Sequence, residues 1–76
     1  MGQFSVRVMR ENGKPALDVG VWIDYGLFNG SDKKRTHSDG WVKFHNSSDK
    51  PGTIWVDGHN KGSHSLSDGK TYSFTI

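Results

Sequence analysis

The sequence predicts an all-β protein, a small antiparallel Greek-key-type β-sandwich of six to seven short strands with no helix. Two observations support this prediction. Apolar and polar residues alternate in short segments, as in strands with one buried face. Turn signals separate these segments at intervals of roughly 10–18 residues. Because 76 residues leave room for one core, we expect a single domain over 1–76, with 1–3 as a loose N-terminus. A small open barrel is the alternative that this pattern allows.

Glycine-containing dipeptides mark the predicted turns. Asn or Asp followed by Gly accepts the positive φ angles that tight hairpin turns require. Five such pairs occur: Asn12-Gly13, Asn29-Gly30, Asp39-Gly40, Asp57-Gly58 and Asp68-Gly69. Both prolines, Pro15 and Pro51, fall in connections rather than in apolar runs, as expected for residues that cannot donate to a strand ladder.

The segments between the turns supply the strands. In residues 4–9, Phe4, Val6 and Val8 alternate with other residues and define one face. Period-two patterns predict five further strands: 19–25, 33–37, 41–46, 53–57 and 71–76. A short segment at 63–66 is a doubtful strand. The segment 33–37 is polar and basic, which is typical of an edge strand. No stretch of the sequence supports an amphipathic helix.

Composition narrows the classes of function. The net charge is +2, and the one basic run, at 32–37, is explained by a solvated edge strand. A dedicated nucleic-acid binder concentrates positive charge on one face, so this class is disfavoured. The chain has no cysteine, which excludes disulfides and thiol chemistry. No segment resembles a signal peptide or a membrane span, so we expect no membrane insertion. Asn29 and Asn46 begin glycosylation sequons, which have meaning only in a eukaryotic secretory context.

The order of these segments resembles a known family. Residues 6–23 combine a strand, a turn with Gly-x-Pro and a Val-rich strand, and 35–44 place a Thr before an Asp-Gly turn and an aromatic-flanked strand. This arrangement resembles the carboxypeptidase regulatory-like, or transthyretin-like, β-sandwich domains, and the likeness covers 4–76. It implies a non-catalytic role in binding, spacing or folding within a larger extracellular or cell-envelope protein. It implies no catalytic residue.

Catalytic and metal chemistry find little support in the residues. Ser, His and Asp are abundant in the predicted turns, where their backbone preferences explain them. A nucleophile needs a base within reach and an orienting third group, and neighbours on opposite strand faces do not supply them. His59 and His64 lack the spacing of a metal site. We therefore expect no enzyme activity, no metal and no cofactor.

The tryptophans are the most informative residues. Trp22, Trp41 and Trp55 each stand next to an aliphatic residue of the predicted core face, so each points to the opposite face of its strand. Exposed aromatic patches mark interaction sites. A partly covered second small core, or a bulge that reverses the parity of one strand, is the structural alternative. Three neighbouring polar side chains complete the candidate site: His37, Lys43 and His45. The site requires the three tryptophan-bearing strands to share a sheet.

Three functions fit these residues. The first is recognition of a ligand, with a glycan as the first choice, because flat indoles stack on sugar rings and the mixed surrounding charge suits a neutral ligand. The second is a structural or protein–protein interaction module, in which the tryptophans pack against a neighbouring domain or a second subunit. The third is single-stranded nucleic-acid binding by stacked indoles beside the basic run Lys33, Lys34 and Arg35.

Overall fold

The computed structural model describes residues 2–26, 30–46 and 51–76, without the side chain of Asn46. Seven strands and no helix occur in these residues, which confirms the all-β prediction. Two sheets form the sandwich, with strand orders β4-β1-β7 and β3-β2-β5-β6. The strand bounds are β1 Gly2–Met9, β2 Gly20–Asp24, β3 Ser31–Arg35, β4 Trp41–Asn46, β5 Gly52–Val56, β6 His59–His64 and β7 Thr71–Thr75.

The strand pairing differs from the predicted one in one respect. Four of the pairings are antiparallel, as expected, but β1 and β7 run parallel. The chain passes between the sheets after β1, β3, β4 and β6. A crossover from β6 brings β7 to the free side of β1 in the same direction as β1, and the sequence alone gave no signal for that direction.

Three strands also differ from the prediction by two residues or more, whereas the other bounds agree within one residue. The polar edge strand spans Ser31–Arg35 rather than 33–37, and the doubtful strand at 63–66 is the six-residue strand His59–His64. Gly2 and Gln3 lie within β1, where the Gln3 amide donates to Asp68 Oδ1 at 2.9 Å, so the expectation of a loose stretch at 1–3 is wrong for them. Met1 lies outside the described residues.

The predicted turns agree with the backbone. Glycine has a positive φ in all five Asn-Gly and Asp-Gly pairs. At the β5–β6 turn, Asp57 and Gly58 have φ of 51° and 79°, the double positive φ of a two-residue type I′ hairpin. Gly40 has φ 79° and packs so closely on β1 that an added Cβ would lie 2.5 Å from the Val8 carbonyl oxygen.

The core lies between the sheets and follows the predicted alternation. Its central side chains are almost completely buried, at 0–2% exposure, and come from β1, β2, β4 and β5: Phe4, Val6, Val8, Val21, Ile23, Val42, Phe44, Ile54 and Val56. Phe4 and Phe44 stack with ring centroids 5.5 Å apart. Tyr72, Phe74 and Ile76 extend this core towards β7 but stay half-buried. The interior is therefore complete at its centre and partly open beside β7.

Candidate binding surface

Two of the three tryptophans form a pair on the outer face of the four-stranded sheet. Trp22 of β2 and Trp55 of β5 are direct register partners, with ring centroids 6.1 Å apart and ring planes inclined by 33°. Their neighbours Val21, Ile23 and Ile54 are fully buried, so the alternation of the strands turns both indoles outward. Trp22 is 44% exposed and Trp55 is half-buried. The pair offers a continuous indole surface to solvent.

A groove of about 380 Å³ lies beside this pair. Gly20 precedes Trp22 by two residues on the same face, and no atom lies within 4 Å of the position that a Cβ would take there. Leu17 contributes from the β1–β2 connection and Asp57 from the β5–β6 turn. We call this site the indole groove, and define it by Leu17, Gly20, Trp22, Trp55 and Asp57.

Exposed apolar surface is concentrated in the indole groove. Within the described ranges, the exposed large hydrophobic side chains are Leu17, at 58%, and Trp22, at 44%, and both line the groove. A lone exposed apolar residue is ordinary, but two beside one concavity are typical of an interaction site.

Charged groups of both signs surround the groove. Lys33 of β3 is the register partner of Trp22, and Arg35 lies in the same strand two residues on. The Arg35 Nη1 donates to the Asp18 carbonyl oxygen at 2.9 Å and lies 3.6 Å from the Asp18 carboxylate. Both side chains are exposed, so this ion pair adds little stability, but it holds a donor-rich guanidinium at the rim.

Trp41 does not belong to this surface. It lies on β4 in the three-stranded sheet, opposite Arg7 of β1, whose guanidinium carbon stands 5.7 Å from the centre of the indole ring. The prediction that Trp22, Trp41 and Trp55 form one face is therefore wrong. All three point away from the core in their own strands, but the topology assigns β4 to the other sheet.

Trp41 lines a second groove, of about 610 Å³, together with two of the predicted site residues, His37 and Lys43. The Asp39-Gly40 turn brings His37 to Trp41, and the His37 amide donates to the Trp41 carbonyl oxygen at 3.0 Å. Lys34 crosses between the strands, and its ammonium donates to the Lys43 carbonyl oxygen at 2.9 Å. The second groove is more basic than the indole groove and is partly spanned by a lysine already engaged with the backbone.

His45, the last predicted site residue, lines neither groove. It is exposed on β4, and its register partner is Gln3 near the start of β1. The six predicted residues therefore divide into a tryptophan pair, a His37–Trp41–Lys43 cluster and a separate histidine. The sheet assignment of β4 explains this division.

His64, whose spacing from His59 does not predict a metal site, has ordinary partners in the structure. The His64 ring nitrogen lies 3.0 Å from the Lys61 carbonyl oxygen, and its ring packs on Tyr72 and Phe74 with centroids 4.9 and 5.9 Å away. Residues 2–26, 30–46 and 51–76 contain no group of three or more His, Asp or Glu side chains able to hold a metal ion.

One titratable group in the described residues has a strongly shifted pKa. Burial raises the pKa of Tyr25 to about 12, and the nearby carboxylate of Asp32 adds to this effect. The phenol donates to Asp32 Oδ2 at 3.4 Å. Tyr25 is 8% exposed and lines neither groove, so we assign this pair to the rim of the core.

Sequence reasoning missed Leu17 and Gly20 as binding-surface residues, and it counted Asp57 only among the polar neighbours of the tryptophans. A signal existed for Gly20, because strand alternation places it on the face of Trp22 two residues away. The type I′ signal of Asp57-Gly58 places that turn at the end of β5, close to Trp55. Leu17 lies in an irregular connection, for which periodicity gives no direction.

Comparison with known protein families, curated proteins and solved structures found no match to this chain. The resemblance to the carboxypeptidase regulatory-like domains therefore stays a prediction, whereas the two sheets of the structure form a β-sandwich. In the described residues, no helix is long and apolar enough to cross a membrane.

Proposed function

We propose that this protein is a non-catalytic recognition module that binds a glycan in the indole groove. The observation that supports the proposal most is the placement of Leu17 and Trp22, the exposed large hydrophobic side chains of the described residues, beside Trp55 in one concavity. A binding role also agrees with what the family resemblance implies.

The chemistry of the groove suits a sugar. The apolar C–H face of a pyranose ring packs on an indole, and two indoles 6.1 Å apart provide a platform longer than one ring. Sugar hydroxyls both donate and accept hydrogen bonds, and the groove offers the carboxylate of Asp57 together with the cationic Lys33 and Arg35. The absence of a side chain at Gly20 leaves room for a ring to approach the sheet.

The charge balance favours a neutral ligand over a nucleic acid. The groove lining includes three cationic residues and two acidic ones, a surplus of one positive charge: Arg10, Lys33 and Arg35 against Asp18 and Asp57. A phosphate backbone would require a larger surplus of cations, because its affinity depends mainly on counterion release. The more basic second groove has one tryptophan, whose indole already stacks with Arg7, so it offers a smaller stacking surface.

The test is a titration of the 76-residue protein with a panel of neutral polysaccharides, in which tryptophan fluorescence reports binding. We expect saturable quenching that changes little between low and high salt. Trp22→Ala should weaken binding about tenfold or more, which corresponds to about 1.4 kcal/mol. Trp41→Ala is the matched control, since it removes the same side chain from the other sheet and should leave affinity unchanged.

Three results would redirect the proposal. Binding to single-stranded DNA or RNA that falls steeply with salt would favour the nucleic-acid alternative. Trp22→Ala and Trp41→Ala with equal effects on glycan binding would contradict a site in the indole groove. No quenching by any polysaccharide, with tryptophan emission shielded by self-association through the indole pair, would favour the protein-interaction alternative.

A further inference from the structure

Strand β7 leaves one edge of the three-stranded sheet unprotected. Among the described strands, β7 pairs with β1 alone. Its sequence, TYSFT at Thr71–Thr75, contains no charged residue, no proline and no glycine. All five residues have β-branched, aromatic or small hydroxyl side chains, and such a neutral edge strand is a template for pairing with another chain.

The other sheet edges carry features that discourage strand addition. In β3, Ser31–Arg35 holds four charged residues in five. In β6, the register with β5 shifts between Thr53 and Trp55, and Gly62 has φ 92°. The edge of β4 faces β3, and the Lys34 ammonium bonds to the Lys43 carbonyl oxygen there. The contrast singles out β7 as the open edge.

The backbone of β7 presents its polar groups at this edge in a regular order. The Lys70 carbonyl accepts from the Ser5 amide, and the Ile76 amide donates to the Met9 carbonyl. The backbone groups of these two residues therefore point towards β1. Strand geometry alternates this direction along the chain. The N–H and C=O groups of Thr71, Ser73 and Thr75 therefore point away from β1, towards the free edge.

We propose that β7 is a self-association edge, which pairs antiparallel with β7 of a second copy of this chain about a twofold axis at Ser73. In this register Ser73 faces Ser73 of the second copy, and Thr71 faces Thr75 in both directions. Each of these pairs joins two residues whose backbone groups point outward, so all can be hydrogen-bonded pairs of an antiparallel ladder. The result is a continuous six-stranded sheet with no unpaired outward group in β7.

The side chains fit the same register. Tyr72 of one copy lies opposite Phe74 of the other, as a non-hydrogen-bonded pair, in which cross-strand side chains lie closest. Both are half-buried in the single chain, on the inner face of the sheet. An aromatic pair at this position would cover the part of the core that the single chain leaves open. On the outer face, Thr71 of one copy lies opposite Thr75 of the other, and neither side chain is charged.

These properties select a second copy as the occupant. A closed twofold contact requires one surface to be complementary to itself. The neutral β7 meets this requirement, since its outward backbone groups fall at 71, 73 and 75, symmetric about Ser73, and it brings no like charges together. If the twofold axis lay between two residues, each residue with outward backbone groups would face a residue whose backbone groups already bond to β1. The alternation of β7 therefore excludes such a register.

The first experiment is sedimentation velocity over a concentration series up to the millimolar range, with amide hydrogen exchange on the same samples. We expect a concentration-dependent dimer and added protection at Thr71, Ser73 and Thr75 only, because the alternate amides already bond to β1. A chain that stays monomeric throughout, or a dimer without this odd-numbered pattern, would overturn the proposal.

Charge substitution at the axis gives an independent test. Ser73→Lys or Ser73→Glu places two like charges opposite each other, which should weaken dimerisation roughly fivefold at low salt. An equimolar mixture of the two variants should recover a heterodimer, because the charges are then opposite. Ser31→Lys, on the edge of the other sheet, is the control and should dimerise like the unaltered chain. A Ser73→Lys chain that dimerises as well as the control would contradict the proposal. The glycan titration of Trp22→Ala does not involve β7, so the two proposals can fail separately.

Discussion

The two long sides of the sandwich are built differently. On the closed side, where β3 and β4 meet, Phe44 is 1% exposed, Lys34 bridges the strands, and the hydroxyl of Thr36 ties the chain before β2 to the end of β3. On the open side, where β6 and β7 meet, Tyr72 and Phe74 are half-buried and contact the ring of His64.

Because of this difference, we expect the closed side to determine the stability of the single chain and the open side to determine contact between copies. The closed side combines complete burial with hydrogen bonds that join distant parts of the chain, so substitutions there should lower the free energy of unfolding. The open side has apolar side chains that the single chain covers only partly. Its residues should matter less for the folding of one copy and more for contact between copies.

The largest expected effect compares two phenylalanines on either side of β1. Phe44 of β4 and Phe74 of β7 both face the interior from strands that flank β1. Phe44→Ala should cost about 3–5 kcal/mol of unfolding free energy, as for a fully buried aromatic side chain. Phe74→Ala should cost clearly less, because part of that ring already contacts water. Urea unfolding at low protein concentration, where self-association is absent, measures both.

Equal losses for the two variants would contradict the comparison, since they would mean that the open side is as well packed as the closed side. Phe74→Leu sharpens the result. It keeps most of the apolar volume and should recover most of the smaller loss, provided that the loss reflects burial.

A second prediction concerns Thr36, a buried polar residue at 4% exposure. Its hydroxyl donates to the Ala16 carbonyl oxygen and accepts from the Val19 amide at 3.0 Å. Thr36→Val keeps the shape but leaves both backbone groups buried without this partner, which should lower the unfolding free energy by roughly 2–3 kcal/mol. Thr36→Ser retains the hydroxyl and should lose much less. A Val variant as stable as the Ser variant would show that these hydrogen bonds contribute little.

A third prediction compares two glycines with the same φ of 79°, Gly40 and Gly58. Alanine at either position carries the cost of a left-handed residue, about 1–2 kcal/mol. At Gly40 the added Cβ would also lie 2.5 Å from the Val8 carbonyl oxygen, whereas at Gly58 it meets nothing within 4 Å. Gly40→Ala should therefore be the more destabilising by about 1–3 kcal/mol, as typical for overpacking. Similar thermal unfolding of the two variants would contradict a tight contact between Gly40 and β1.

The sequence predicted the parts of this fold that depend on local rules. Alternation identified the inward residues of β1, β2, β4 and β5, and the Asn-Gly and Asp-Gly pairs identified the turns. β6 was the weakest strand prediction, because HNKGSH has no apolar alternation and pairs through its backbone after a type I′ turn. The parallel direction of β7 is set by a crossover between sheets, which periodicity does not encode.

The candidate site was predicted in direction but not in grouping. Local alternation turned all three tryptophans away from the core, and the structure agrees for each strand. Which tryptophans share a face depends on strand order, and that order places β2 beside β5 but β4 beside β1. The local sequence predicts on which face of its strand a side chain lies. The identity of its neighbour on the adjacent strand depends on the strand order, which is a long-range property of the fold.

The smallest predicted effect is a dependence of stability on pH from Tyr25, which follows β2 and hydrogen-bonds to Asp32 of β3. Burial raises the pKa of Tyr25 from 10.0 to about 12 in the folded chain. Folding therefore favours the neutral phenol, and this stabilisation is complete below pH 10 and is lost as the pH rises towards 12. Tyr25→Phe cannot ionise, so the difference in unfolding free energy between the unaltered chain and the variant should shrink or reverse over this interval. Urea titrations at a series of pH values measure it, and the subtraction removes the lysine titrations common to both chains. A difference that stays constant from pH 9 to 12 would mean that the phenol ionises as readily in the folded chain as in the unfolded one, and that this rim of the closed side admits water.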